Sequence, residues 1–229
     1  MLPSEGQLRA WAYENDRDDV QALVPQASRR ILDLGCASGA LGAALKSRQG
    51  CYVVGVERNP ELARTAAARL DRVLTGDLDG LAAKGDLAAE LGRFDCLVAG
   101  DVLEHLVDPW LVLRSYSALL EPGGIAVVSL PNVRYWQLFW SVGVRGTWPR
   151  HTVGVFDRTH LRWFTLRDAH ELLEQASLDV VAVVRQLRLS PSRPLTDPLS
   201  RVLARTPGRT LLTFQHLLVG RRRSGAGAP

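Results

Sequence analysis

The sequence predicts an α/β fold: an open, doubly wound, mostly parallel sheet with helices on both faces. Two observations carry this. Apolar runs of strand length alternate with helix-like stretches up to about residue 130, the pattern that parallel sheets covered on both faces produce. The first two runs, Ile31-Leu32-Asp33-Leu34 and Tyr52-Val53-Val54-Gly55-Val56-Glu57, each carry a carboxylate at the end and each lead through a loop into a helix. Such a sheet builds its ligand site at the carboxyl ends of its strands.

In chain order, residues 1–14 read as a loose leader, and Asp16–Val24 as a short capped helix before Pro25. The first strand ends in Gly35-Cys36-Ala37-Ser38-Gly39, and Ala40–Leu45 follows as a helix. Asn59-Pro60-Glu61 starts the next helix, and Asp108-Pro109 starts one running to Leu120, because proline is preorganised for a first helical turn. The alternation breaks after Leu130-Pro131-Asn132. Tyr135, Trp136, Phe139 and Trp140 are too many aromatics for an ordinary surface helix. They are candidates to line an acceptor pocket, with residues 131–165 as a lid on that side; a core helix and a membrane-docking segment are the alternatives. Thr165–Asp168 starts a helix to Ala176, Asp179–Val184 is β-rich, and residues 190–210 are rich in Pro, Ser and Thr. Leu211–Val219 reads as the last strand. Residues 1–220 thus form one domain, and 221–229, which begin Arg221-Arg222-Arg223, form a basic, disordered Gly/Ala-rich tail.

The 229 residues suffice for one α/β domain with a sizeable core. No apolar run approaches a membrane span, and the N-terminus lacks a basic region followed by an apolar stretch, so a cytoplasmic location is the default. Cys36, Cys51 and Cys96 are odd in number and sit in or beside strands, unlike a disulfide or zinc set. The formal net charge of +4 is modest for this length and lies partly in Arg221-Arg222-Arg223, whereas a nucleic-acid binder needs basic residues gathered on a face with interleaved aromatics, which disfavours a nucleic-acid partner.

The first loop narrows the ligand. Gly35 and Gly39 allow close backbone approach, and Glu57 is placed to accept hydrogen bonds from both hydroxyls of a ribose. A dinucleotide fingerprint needs three glycines, yet its positions here are Gly35, Ala37 and Ala40. A pyrophosphate cradle is therefore disfavoured.

Asp33-Leu34-Gly35-Cys36-Ala37-Ser38-Gly39 resembles the Asp-x-Gly-Cys-Gly-x-Gly loop of class I S-adenosylmethionine-dependent methyltransferases, with Ala37 in place of the middle glycine. Asp71–Leu78 resembles that family's third strand and adenine-side loop, Phe94–Leu106 its fourth strand and the acidic-His segment after it, and Leu120–Ser129 its fifth strand behind a Pro-Gly-Gly turn. The resemblance spans residues 28–185. It implies a Rossmann-like sheet of seven strands whose last strand is antiparallel. It also implies S-adenosylmethionine held by Asp33, Gly35, Cys36, Ala37, Gly39, Glu57, Arg58, Asp77, Leu78, Gly100 and Asp101.

The chemistry is expected after the fourth strand, where acceptor and cofactor meet. An oxygen nucleophile must lose its proton to a base or through a metal. Asp101, Glu104 and His105 stand at i, i+3 and i+4, one face of a helix; His160 lies in the second candidate group, Asp157–Thr165. The Asp-x-x-Glu-His segment resembles the Glu-x-x-Glu-His of quinone-pathway catechol O-methyltransferases and small-RNA 2′-O-methyltransferases, which implies Mg²⁺ or Mn²⁺ held by Asp101, Glu104, His105 and His160. His105 and His160 are equally candidates for a metal-free general base, and a structural role alone is the alternative for each. Pro131–Trp136 with Asp157–Arg162 also resembles bacterial methyltransferases linked to glycan or secondary-metabolite assembly. The reading is O-methylation of a hydroxylated small molecule, such as a sugar, glycan precursor or secondary metabolite. RNA 2′-O-methylation and a non-catalytic cofactor-binding accessory role are the rivals, and the oligomeric state is open.

Overall fold

The computed structural model describes residues 13–190, 193–194, 205–206 and 208–224. Strands β1 (Arg30–Leu34), β2 (Tyr52–Glu57), β3 (Arg72–Thr75), β4 (Phe94–Gly100) and β5 (Leu120–Pro131) run parallel. Beyond β5 come β6 (Leu178–Ser190), the two-residue β7 (Arg193–Pro194) and β8 (Thr213–Arg222). The order is β3-β2-β1-β4-β5-β8-β6-β7, with β8 antiparallel to both β5 and β6. This is the expected seven-stranded sheet with an antiparallel last strand, extended by β7 at one edge. The order reverses between β1 and β4, and that switch point opens the ligand crevice.

Period-two burial divides the core. Ile31, Val53, Cys96, Val98, Val127 and Leu217 face α1 (Asp18–Gln21), α2 (Ala40–Gln49) and α3 (Pro60–Ala67). Leu32, Val54, Leu97, Ala126, Val128 and Leu218 face α4 (Leu78–Lys84), α5 (Leu87–Leu91), α6 (Pro109–Ser117) and α8 (Leu166–Gln175). Apolar residues on both faces are what a covered parallel sheet requires. Asn59, Asp77 and Asp108 cap their helices through side-chain oxygens, and Thr165 with Asp168 forms a capping box on α8. The three cysteines are buried free thiols. Among the described residues no helix is long and apolar enough to cross a membrane.

Four expectations shift. Residues 13–14 are not loose: Ser38 Oγ donates to the Tyr13 carbonyl over 2.6 Å, and Arg69 pairs with Glu14 over 2.8 Å. Helix α1 starts at Asp18 rather than Asp16, because Arg17 adopts left-handed backbone at φ 50°. At the last strand, residues 209–212 form a helical turn, α9 (Arg209–Leu212). β8 begins only at Thr213 and runs through Arg222, so 221–222 belong to the sheet and not to a tail. The Arg222 side chain is buried and donates to the carbonyls of Ala118 and Leu120. Residues 1–12, 225–229 and most of the Pro/Ser/Thr-rich stretch lie outside the described residues.

His216 on β8 is 1% exposed, and neither ring nitrogen has a hydrogen-bond partner among the described residues. Burial, reinforced by Arg185 and His170, lowers its pKa from 6.5 to about 4. The neutral ring is the folded form, so its contribution to stability is complete above pH 6.5 and is lost as pH falls toward 4. That difference corresponds to about 3 kcal/mol. His216→Leu should flatten the loss of stability between pH 6.5 and 4 in urea unfolding. An unchanged pH profile would refute this.

Candidate functional site

At the end of β1 the backbone turns under β2. Gly35 and Cys36 donate their N–H groups to the Val56 carbonyl over 2.8 and 3.1 Å. Residues 35, 37 and 39 all have left-handed backbone, at φ 68°, 47° and 79°. At Gly39 a Cβ would also lie 3.1 Å from Ala66 Cα on α3, so glycine is required twice over. Ala37, where the family loop has glycine, occupies the same region at a cost of about 1–2 kcal/mol. On β2 a Cβ at Gly55 would lie 2.5 Å from Cys36 Sγ, so the missing side chain is what lets Cys36 settle on the strand.

Glu57, at the end of β2, is 8% exposed. Its two oxygens accept from Ala37 N–H over 3.1 Å and Asn59 N–H over 2.7 Å. The loop and the carboxylate are thus one unit: backbone donors fix the carboxylate, which keeps lone pairs for a ligand. Asp33 lies behind it, buried, with Oδ2 unpartnered among the described residues. Burial, and then the charge of Glu57, raise its pKa to about 7. A concave loop of small residues beside two buried carboxylates fits the ribose and ammonium groups of an amino-acid nucleoside. Asp77 is exposed and caps α4 by accepting from Gly80 N–H over 2.9 Å, whereas the Leu78 side chain lies in the core. Arg58 is exposed beside Asn59.

Asp101 follows Gly100 at φ 55°, so the chain turns sharply out of β4. The i, i+3, i+4 face is not built: only Leu103–His105 forms a helical turn, of 3₁₀ type, and Asp101 lies outside it. The Asp101 carboxylate accepts instead from Arg17, from Ser129 Oγ over 2.7 Å and from Gln215 Nε2. Arg17 also donates to Asp19 and to Ser129 Oγ, over 2.9 and 3.1 Å. Burial opposes the Arg17 charge, yet Asp101 and Asp19 prevail and raise its pKa. Arg17, Ser129 and Gln215 escaped the sequence reading. A buried glutamine inside the apolar run of β8 was the one available signal.

Glu104, His105 and His160 do converge, with candidate ligand atoms all within 4.8 Å of one another. The two imidazoles meet edge to face at a centroid distance of 4.7 Å. His160 Nε2 lies 3.9 Å from Glu104 Oε1. The two segments are tied together by the Glu104 carbonyl, which accepts from Leu161 and Arg162 N–H over 2.8 and 3.0 Å. His105 Nδ1 lies 3.2 Å from the Thr159 carbonyl and 3.0 Å from Thr159 Oγ1. That hydroxyl donates to Asp157 over 2.6 Å, so it faces the imidazole as an acceptor. Nδ1 therefore carries a proton, and Nε2 is the ring nitrogen turned away from Thr159. Glu104 Oε2 and His160 Nδ1 are buried without partners among the described residues. Burial, and then the charge of Asp101, raise the Glu104 pKa; burial, and then His105, lower that of His160 to about 4. A buried carboxylate and two imidazoles whose candidate ligand atoms converge, with Glu104 Oε2 and His160 Nδ1 left without partners among the described residues, fit a cation. Asp101, engaged elsewhere, does not join this set.

The four aromatics separate. Tyr135 is fully buried in a satellite core with Leu138, Val155, Phe156 and Phe214, and Trp136 packs against it. Its hydroxyl donates to the Arg188 carbonyl over 3.2 Å. Phe139 and Trp140 lie exposed on a π-helical turn, Phe139–Val144, that follows the short α7 (Trp136–Leu138). The four do not line one pocket.

Sheet order, left-handed loop and carboxylate at the end of β2 together define a class I S-adenosylmethionine-dependent methyltransferase. Residues 8–183 match the model of a methyltransferase domain family. The chain belongs to that family. It is 34% identical to a ubiquinone biosynthesis O-methyltransferase of Cereibacter sphaeroides over 173 residues, 74% of this chain and 68% of the relative. Against the protein of the same name from Ralstonia nicotianae it is 33% identical over 108 residues, 47% of this chain and 45% of the relative. The matched region thus spans about half to two thirds of those proteins, between 45% and 68%. Among solved structures, an S-adenosylmethionine-dependent methyltransferase of Archaeoglobus fulgidus superposes with TM-score 0.65 at 16% identity, covering 96% of this chain and 100% of that one. One from Mesorhizobium loti gives TM-score 0.59 at 18% identity, covering 89% and 96%. At such identities these two speak for the fold.

Proposed function

We propose that the protein methylates a hydroxyl group of a small molecule carrying two adjacent oxygens, such as a sugar diol or a catechol, with a divalent cation held by Glu104, His105 and His160. The observation that carries this reading is the convergence of those three side chains beside the end of β4. The names of the relatives, O-methyltransferases of ubiquinone biosynthesis, support oxygen as the acceptor atom.

S-adenosylmethionine, when bound, supplies a methyl group already activated by its sulfonium charge. The chain has to hold the acceptor in line with that group and keep water away. Glu57 would accept from the ribose hydroxyls, and the 35–39 loop would bring its backbone against the amino-acid end. Near the acceptor, His105 Nε2 and Glu104 face the oxygen that loses its proton. A bound cation would lower the pKa of that hydroxyl. The candidate ligand atoms of Glu104, His105 and His160 lie within 4.8 Å of one another, so small side-chain rotations would bring them onto one ion. Two imidazoles and a single carboxylate suit Mn²⁺ or Zn²⁺ better than Mg²⁺.

The test is calorimetric titration of the metal-stripped protein with Mn²⁺. Wild type should bind one ion, and His160→Ala should lose that binding while still binding S-adenosylmethionine. Absence of binding by wild type would remove the metal. Turnover of a diol or catechol that survives EDTA would then assign His105 as a metal-free general base.

A further inference from the structure

We propose that the π-helical turn and the loop after it form a docking surface for an anionic lipid bilayer, beside the acceptor side of the site. Phe139 and Trp140 are 69% and 50% exposed, and Val144, Trp148 and Trp163 are exposed with them. They are structurally joined. Thr147 N–H donates to the Ser141 carbonyl over 2.8 Å, which folds Trp148 back toward the turn. Trp148 meets Trp163 edge to face at 5.7 Å. Clustered exposed aromatics of this kind mark an interaction site.

Charge identifies the partner. Residues 132–163 hold five arginines and one acidic residue, a net +4 equal to the formal net charge of the whole chain. Arg134, Arg145, Arg150 and Arg158 are exposed, and none forms an ion pair among the described residues. The lone acid, Asp157, is taken up by Thr159 N–H and Oγ1. Tryptophan and phenylalanine ringed by arginine is the composition of an interfacial segment: the rings enter the headgroup boundary and the guanidinium groups reach lipid phosphates. A second copy of the chain would set this positive face against itself. RNA would gain from the arginines and rings but nothing from Val142 and Val144, which cannot stack on bases. The surface is continuous with the site, because Leu161 and Arg162 bond the Glu104 backbone and Trp163 follows them. The proposal is independent of the metal and of the acceptor's identity.

Co-sedimentation of the full chain with phosphatidylcholine vesicles, with and without phosphatidylglycerol, tests it. Wild type should bind the anionic vesicles, release at high salt, and show a blue shift of tryptophan emission on binding. The double variant Phe139→Ser, Trp140→Ser should lose about tenfold or more in partitioning while keeping wild-type affinity for S-adenosylmethionine, which reports an intact fold. Arg145→Glu with Arg150→Glu should weaken binding to the anionic vesicles. The proposal fails if wild type ignores those vesicles, or if both variants bind as wild type does. It also fails if the same substitutions abolish self-association or RNA binding in a protein without vesicle affinity.

Discussion

Glu57→Ala is expected to weaken S-adenosylmethionine binding by about 2–3 kcal/mol, the scale of hydrogen bonds to a charged acceptor, which is about a 30- to 150-fold rise in Kd. Two effects add. The direct one is loss of the carboxylate that would accept from the ribose hydroxyls. The indirect one is loosening of the loop, because Glu57 holds Ala37 N–H at 3.1 Å and Asn59 N–H at 2.7 Å. Ala37 already sits in a left-handed conformation that disfavours it, at φ 47°, and removing its hydrogen-bond partner frees it to leave. Glu57→Gln separates the effects: the amide oxygen can retain one N–H, while the NH₂ group opposes the other. The glutamine variant should bind more weakly than wild type and more tightly than the alanine variant. Calorimetry with S-adenosylmethionine checks the order. Unchanged affinity in Glu57→Ala would remove Glu57 from the cofactor site, and comparable affinity for NAD would reopen a dinucleotide reading.

That half of the site was legible because it is local. Asp33, the 35–39 loop and Glu57 belong to two consecutive strand–loop units, and β1–β2 pairing brings them together wherever else the chain goes. The other half depends on contacts no spacing encodes. Asp101 at three and four residues from Glu104 and His105 suggests a shared helical face, but the suggestion holds only if the backbone is helical. A φ of 55° turns Asp101 away, toward Arg17, Ser129 and Gln215, which are 84, 28 and 114 residues distant in sequence. Similarly, Arg221–Arg223 resembles a solvated tail by composition. It is the carbonyls of Ala118 and Leu120, a hundred residues upstream, that hold Arg222 in β8. The aromatic run failed for a different reason. On a regular helix Tyr135, Trp136, Phe139 and Trp140 would share one face, spanning about 140°, but Tyr135 precedes the three-residue α7 in extended backbone and Phe139 opens the π-helical turn, so Tyr135 is buried against Phe214 while Phe139 and Trp140 stand in solvent.

Glu104→Gln should separate stability from function. The Glu104 carboxyl is 1% exposed, Oε2 lacks a partner among the described residues, and its nearest basic group is a neutral imidazole. Its folded pKa is raised by burial and by Asp101. A raised carboxyl pKa means that its stabilising, protonated form is complete below the unfolded value and is lost as pH rises through the folded one. At neutral pH the site is therefore under electrostatic stress in the metal-free protein. Glutamine keeps the shape without the charge, and its carbonyl and amide can meet the same surroundings. The variant should gain about 1–3 kcal/mol in urea unfolding near pH 7, the scale of relieving one buried unsatisfied group. The backbone ties from Leu161 and Arg162 to the Glu104 carbonyl do not involve the side chain and should persist. Methyl transfer should fall at least about 100-fold, because the variant lacks the anionic ligand. Adding Mn²⁺ makes the two proteins cross. At about 100 times its Kd the ion should stabilise wild type by about 2.7 kcal/mol, and Glu104→Gln by almost nothing. If Mn²⁺ stabilises both alike, the carboxylate is not a ligand. If the variant is less stable than wild type without metal, Glu104 is ionised and paired in the fold, and its place in the cation site falls with that result.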